Sequence, residues 1–312
     1  MTTSMPPPLK HKITNDNAIP LPARIDKALV YLFPHFSRRA IRRFLDVGGV
    51  YLNRKRVRIA SRQVHSGDEV EIIPTTTPPT LEQSAVITTL YEDEQVIVVN
   101  KPPCLPTQAT RAQAVIHLTG LLQRQHGHGL RLIHRLDQET SGAIVYAKSQ
   151  AVARFLAEQF KDQQVRKTYL ALVYGIPHWQ QHLCRSYLTP IRGSVGLVHA
   201  YAQPSKQTKL AITRFTLLAC SQSVALIKCE PHTGRSHQIR VQLQSLGLPI
   251  VGDKKYGDNR PDVRAPRHML HASQLACKLP HRQVLVQAPL AADFQAQVER
   301  HLPMHTTALL HK

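Results

Sequence analysis

The sequence predicts an α+β protein: a mostly antiparallel β-sheet domain with flanking helices, joined to a small α+β unit. Three observations predict it. After Pro74 the apolar runs are short and strand-like and follow one another with few helical patterns between them, which favours antiparallel pairing over alternating βαβ units. Before Pro74 the pattern is two helical stripes followed by three short strands. Thr75-Thr76-Thr77-Pro78-Pro79-Thr80 between them is a linker by composition. The expected organisation is a disordered tail over 1–20, a small unit over 21–74, a linker over 75–84, the sheet domain over 85–303 and a tail over 304–312.

In order, the polar, proline-bearing start has too little apolar content to fold. Arg24 to Leu32 reads as a helix with Ile25, Leu29 and Leu32 on one face. Ser37 N-caps a second helix, with Ile41, Phe44 and Leu45 inward and a stop at Gly48-Gly49. Strands follow at Val50–Leu52, Val57–Ile59 and Glu69–Ile73. The larger domain shows strands at Ala85–Leu90, Gln95–Asn100, Ala143–Ala147, Thr168–Tyr174, Lys209–Leu218, Val224–Cys229, Met269–Leu279 and Gln283–Gln287. Its helices are Gln150–Gln163, capped by Ser149, then Ser236–Leu246, and one near Asp293–His301. Residues 178–208 read as a polar excursion from the sheet, and no internal repeat is visible.

Lysine and arginine number 40 against 20 aspartates and glutamates, a net charge of +20. Such a surplus selects a polyanionic partner, nucleic acid before an anionic membrane. Aromatic content of 5 % argues against long stacking platforms for single strands. Met1 to Ala23 has no sustained apolar core, and no apolar run reaches the length of a membrane span. The five cysteines are far apart and form no CxxC pair, so reduced thiols in the cytoplasm are expected rather than a disulfide framework or zinc site. His126 and His128, set between Gly127 and Gly129, read as a flexible loop, and no metal is expected.

The polar face of the small unit is almost wholly positive. Lys27, Arg38, Arg39, Arg42, Arg43, Arg54, Lys55, Arg56, Arg58 and Arg62 are answered only by Asp26 and Asp46. A solvated face usually mixes signs, so phosphate contact is the better reading.

In the larger domain, His134-Arg135-Leu136-Asp137-Gln138-Glu139-Thr140-Ser141-Gly142 runs into the apolar strand Ala143–Ala147. A carboxylate there is costly unless paired, and Thr140, Ser141 and Gly142 supply a tight, hydrogen-bonded turn. Asp137 is either a turn cap paired with Arg135 or a rigidly held reactive acid. Thr233-Gly234-Arg235-Ser236-His237-Gln238-Ile239-Arg240 opens a helix whose buried stripe is Ile239, Leu243 and Leu246. Arg240 beside that stripe calls for an anion, a carboxylate or a phosphate. Tyr169, on one strand face with Ala171 and Val173, is a core tyrosine or a stacking surface for a base. No Ser/His/Asp spacing, GxGxxG or phosphate-binding glycine loop is present.

At these residues the chain resembles the RluA-type RNA pseudouridine synthases. His134-Arg135-Leu136-Asp137 with Thr140-Ser141-Gly142 looks like their signature loop. Arg166 to Gly175 resembles their tyrosine strand, and Thr233–Arg240 followed by Gly252-Asp253-Lys254-Lys255-Tyr256-Gly257 resembles a third motif. Leu270-His271-Ala272 and Val98-Val99-Asn100-Lys101-Pro102 fit further short patterns, so the likeness spans roughly 86–290. Residues 21–74 resemble the S4-like RNA-binding module first described in a ribosomal protein. Cys104 stands where members usually have glycine and Gln242 where a histidine is frequent, departures that would bear on substrate preference.

The resemblance implies isomerisation of uridine in structured RNA, ribosomal by preference and transfer RNA as the other option, with no cofactor. It makes Asp137 the catalytic acid, Arg240 its ionic partner and Tyr169 the ring beneath the detached uracil. Arg135 is then placed to fill the vacated stack or grip phosphate. A monomer is expected, since few acids offset the basic surface. A silent RNA-binding or ribosome-assembly factor and a retaining glycosidase are the competing readings.

Overall fold

The computed structural model describes residues 9–14, 19–47, 49–57, 59–72, 87–108, 117–127, 129–190, 197–257, 263 and 265–303. The chain forms two compact units, residues 1–80 with 258–267, and residues 81–257 with 268–312.

The first unit comprises β1 (Leu9–Lys12), β2 (Ala23–Arg24), α1 (Ile25–Leu32), α2 (Arg38–Val47), β3 (Val50–Leu52), β4 (Lys55–Val57), β5 (Gln63–Val64) and β6 (Glu69–Ile72). Its sheet runs β1-β6-β3-β4, and β2 pairs with β5. Ile25, Leu29, Ile41, Phe44 and Leu45 are buried together, as the helical stripes require. Ser37 Oγ accepts the Ala40 amide at 3.2 Å and caps α2.

The disorder expected over 1–20 is corrected here. Leu9–Lys12 pairs antiparallel with Glu69–Ile72, and Ile13 and Ile19 are buried in the unit's core. Three apolar side chains suffice because they close an edge that the remaining strands leave open. Residues 1–8, 15–18, 73–86 (most of the expected linker and the start of the expected strand at Ala85) and 304–312 lie outside the described residues.

The second unit carries β7 (Thr89–Glu92), β8 (Val96–Lys101), α3 (Leu118–His126), β9 (Arg131–Leu132), β10 (Ser141–Ala147), α4 (Gln150–Lys161), β11 (Arg166–Tyr174), β12 (Gln181–Leu188), β13 (Ala200–Tyr201), β14 (Lys209–Cys220), β15 (Val224–Pro231), α5 (Gln238–Ser245), β16 (Leu270–Leu279), β17 (Arg282–Gln287) and α6 (Ala292–His301). The sheet runs β13-β12-β14-β15-β11-β16-β10-β8-β7, with β17 on β16 and β9 on β10. Among the described strands only β10 and β16 pair in parallel. No helix among the described residues is long and apolar enough to cross a membrane.

Two further expectations are corrected. Residues 178–208 are no excursion, because Gln181–Leu188 pairs along its whole length with β14. Its buried face carries Cys184 and Ser186, too polar to read as a core strand. The helix Leu118–His126 was hidden by Gly120, yet that glycine is required: the His117 ring, which accepts the Gly120 amide, sits 3.0 Å from where a Cβ would be. His126 therefore ends a helix, and its ring lies 3.5 Å from Glu92; His128 is outside the described residues.

The parallel contact of β10 with β16 depends on Gly142. Its φ is +113°, and a Cβ there would lie 2.2 Å from the Ala272 carbonyl oxygen. Gly142→Ala is expected to cost about 3 kcal/mol or more, read as a fall in the urea midpoint.

Candidate active site

Loop 134–140 lies between β9 and β10 at the centre of the sheet, and every polar group that fixes it has a partner. His134 Nε2 accepts the Val145 amide at 3.2 Å while its ring stacks on Phe160. Burial, then the Lys167 charge, pushes the imidazole down to about 3, so it stays neutral with its proton on Nδ1. Thr107 Oγ1 donates to the Leu136 carbonyl at 2.7 Å. Fully buried Lys101 donates to the carbonyls of Pro102, Leu105 and Gln138 at 2.9–3.0 Å, which holds the loop against the 102–105 turn. Thr140 Oγ1 bonds His268 Nε2 at 2.8 Å, and Glu139 pairs with Lys254. The Thr140 amide donates to the Asp137 carbonyl at 3.1 Å and closes the turn. Asp137 is thereby fixed from both flanks, with its side chain 32 % exposed.

Arg240 reaches it from the first turn of α5. Its Nη1 donates to Asp137 Oδ2 at 2.7 Å. Its Nε and Nη2 grip the two oxygens of Asp253 at 2.7 and 2.8 Å, and Asp253 also accepts the amides of Lys255 and Tyr256. Burial disfavours the charge on both partners. For Arg240 the two carboxylates outweigh it and the guanidinium pKa rises; for Asp253 the guanidinium and the amides outweigh it and the carboxyl pKa falls. The pair is therefore ionised in the interior.

His237, just before α5, has a left-handed backbone with φ +54°. Its Nε2 stands 3.9 Å from Asp137 Oδ2, and its Nδ1 bonds Tyr256 Oη at 2.7 Å. Tyr256 Oη in turn accepts the Val198 amide at 2.9 Å, and the Arg240 guanidinium lies 5.1 Å from the centre of the Tyr256 ring. Burial lowers the His237 pKa more than Asp137 raises it. The contacts from Arg240 and His237 to Asp137 both fall on Oδ2, and Oδ1 has no partner among the described residues. One carboxylate oxygen is anchored and the other faces the cleft.

That cleft holds about 780 Å³ and is lined by loop 133–137, Lys167, Tyr169 and residues 233–240. Tyr169 on β11 packs against Leu136 and Ile144 from below. Burial and then the nearby Asp137 charge raise its pKa, so the phenol keeps its proton. The cleft thus brings together all four expected residues, Asp137, Arg135, Tyr169 and Arg240, with Arg135 exposed at its rim.

A model of the RNA pseudouridylate synthases matches residues 95–245, and an S4-domain model matches residues 23–70. The ribosomal large subunit pseudouridine synthase C of Rickettsia bellii is 32 % identical over 294 residues, covering 88 % of this chain and 97 % of that protein. Membership follows from that coverage. The chain belongs to the RNA pseudouridine synthases. The Escherichia coli protein of the same name is 33 % identical over 81 % of this chain and 84 % of its own. Among solved structures, human RNA pseudouridylate synthase domain containing 1 superposes with a TM-score of 0.58 at 27 % identity, covering 75 % of this chain and 98 % of that one.

In this synthase the two departures from the family pattern do not reach the cleft. Cys104 has φ +62°, a left-handed backbone that a glycine adopts freely, which accounts for the usual residue there. Gln242 is fully buried, accepts from Thr213 Oγ1 at 2.6 Å and donates to Ser186 Oγ and the Ala211 carbonyl. Both serve the fold, so the expected effect on substrate preference is not supported by their positions. Sequence reading gave no role to Asp253, His237, Tyr256 or Lys101. The signal available was an acid and a tyrosine inside Gly252–Gly257 in a chain poor in acids.

In the S4 unit Lys27, Arg38, Arg39, Arg42, Arg54 and Lys55 are exposed. Arg54 and Lys55 sit at the β3–β4 turn, where Asn53 and Arg54 both have positive φ. Asp26 is buried and held by two bonds from Arg24 at 3.0 and 2.9 Å, with the Arg38 charge also within its reach. Arg58 and the side chains of Arg43 and Arg56 lie outside the described residues.

The stability contributed by the lowered Asp253 pKa is present above the ordinary carboxyl pKa near 4 and disappears as pH falls through the folded value. Asp253→Asn is expected to lose about 3 kcal/mol at neutral pH. Urea midpoints between about pH 3 and 7 would show a shallower acid slope for the variant than for the wild type.

Proposed function

We propose that this enzyme isomerises uridine in ribosomal RNA and that Asp137 carries the chemistry. One observation supports the assignment above others: Arg240 divides its donors between Asp253 and Asp137, leaving one Asp137 oxygen free in the cleft. Because Asp253 takes two of the guanidinium's donors, Asp137 is held through one and is not sealed in a closed ion pair. Two routes are open to it, attack at C1′ or removal of the 2′ proton, and both start from that oxygen. In either route the C1′–N1 bond breaks and N1 keeps the electron pair; the uracil turns over Tyr169, C5 bonds to C1′ as the Asp137–C1′ bond breaks or as C2′ regains its proton, and the C5 proton passes to solvent while N1 takes one up. Reaching the cleft requires the uridine to leave its stack, at a cost of a few kcal/mol, and Arg135 at the rim is positioned to occupy the gap.

Ribosomal RNA is preferred over transfer RNA because the relatives over 80 % of the chain bear names of large-subunit synthases and because the S4 unit supplies a basic surface. We infer a cytoplasmic monomer, since a net charge of +20 opposes self-association. The glycosidase reading loses support, because Asp253, the carboxylate that shares Arg240 with Asp137, is sealed under the guanidinium with no exposure.

The wild type is expected to release tritium from RNA labelled at uracil C5. Asp137→Asn should lose about a thousandfold or more of this activity while still binding RNA. Binding by both proteins with release by neither would establish the silent-factor reading. Mapping in a deletion strain should return large-subunit positions, rather than transfer RNA positions, to uridine.

Replacing Arg38, Arg39 and Arg42 together by glutamine should weaken RNA binding and reduce the log–log salt slope by about 2, with the rate at saturating RNA unchanged. An unaltered slope would remove these residues from the interface.

A further inference from the structure

The outer face of β12, β13 and β14 has no role in the chemistry above. Along β12 and β14 the side chains alternate. Cys184, Ser186, Ala211, Thr213 and Phe215 are buried on one face. The other face presents Leu183 opposite Arg214, Arg185 opposite Ile212, and Tyr187 opposite Leu210, with Tyr201 of β13 opposite Tyr187 on its other side. Leu183, Tyr201 and Leu210 are 45, 51 and 39 % exposed, and Arg185 and Arg214 are exposed. Neither arginine forms a salt bridge among the described residues; Glu230, opposite Arg214 on β15, lies 3.6 Å from Lys228 instead.

We propose that this face is a second RNA-contacting surface, on which unpaired nucleotides flanking the target uridine stack on Tyr187 and Tyr201 while Arg185 and Arg214 meet their phosphates. The proposal rests on the enzyme's substrate being RNA. Adjacent strands set directly opposed side chains about 5 Å apart, so the two rings and Leu210 form one continuous row. Aromatic rings beside unpaired arginines suit bases and phosphates, because every base offers a π-face and guanidinium either stacks or pairs with phosphate. A protein partner would need acids to answer the same arginines, whereas RNA supplies the anion and the flat apolar surface together.

Continuity with the cleft gives the surface its place in the reaction. Arg235, which lines the cleft, donates Nε to the Leu210 carbonyl at 3.0 Å. The cleft wall and the outer row thus meet at one residue of β14. A strand leaving the cleft past Arg235 turns round that edge directly onto Leu210, Tyr187 and Tyr201.

The test is photo-crosslinking of the full-length protein to a short, unstructured oligouridylate containing 5-iodouridine, with mass-spectrometric mapping of the adducts. Adducts at Tyr187 or Tyr201 are expected. Tyr187→Ala/Tyr201→Ala should bind the same oligonucleotide roughly tenfold more weakly, and Tyr187→Phe/Tyr201→Phe should bind nearly as the wild type. Arg185→Gln/Arg214→Gln should lower the salt slope by about 1.4. Adducts confined to Tyr169 or to the S4 unit, or an alanine pair that is folded by circular dichroism and binds as the wild type, would overturn the proposal. These readouts need no turnover, so absence of tritium release by the wild type would sink the catalytic assignment and leave this one standing.

Discussion

A guanidinium shared between two carboxylates is the contact on which the cleft depends. An arginine as buried as Arg240 is tolerated only with an anion in register, and Asp253 meets that need with both oxygens. The remaining Nη1 is left to orient Asp137. A single Arg–Asp pair would tend to seal the acid it holds. Dividing the guanidinium between two acids of unequal burial avoids that: Asp253, with no exposure, lies against the guanidinium, and Asp137, a third exposed, lines the cleft.

The surrounding backbone is arranged to permit this. The 253–257 turn must be tight enough for the Asp253 carboxylate to receive two of its own amides, and a Cβ at Gly257 would lie 2.3 Å from the Asp253 carbonyl oxygen. His237 adopts a left-handed conformation that costs a non-glycine residue about 1–2 kcal/mol. The imidazole gains Tyr256 in return and comes within 4 Å of Asp137. Strain of this kind persists where neighbours over-determine it, and here the neighbours are the same residues that hold Arg240.

Much of this was legible in the sequence because the relevant residues are either periodic or chemically expensive. The stripes Ile25–Leu29 and Ile41–Phe44–Leu45 could be read from spacing alone, and Asp137 and Arg240 stood out as charges beside apolar runs that demand partners. Strand β12 was not legible because its inner face carries Cys184 and Ser186, and the buried Ser186 hydroxyl is met by Gln242, 56 residues away in sequence. Strand β1 failed for a related reason, since three apolar side chains in a polar run acquire meaning only from the edge they cover. Asp253 belongs to the same class. Its place between Gly252 and Gly257 marks it only as an acid in a turn, and its partner appears only when α5 carries Arg240 over it.

Two electrostatic regimes follow from this division of labour. The exposed lysines and arginines of the S4 unit stand in water, where the screening length is about 8 Å at physiological salt and any charge they meet is felt through it. Arg240 and Asp253 act at 2.7–2.8 Å inside the protein, where mobile ions do not enter. Salt therefore governs how much RNA is held and has little access to the groups that hold Asp137. The first interaction tolerates many sequences and geometries, and the second tolerates very little displacement. That asymmetry lets a strongly basic chain bind RNA broadly while confining its chemistry to a uridine that can leave its stack and enter the cleft.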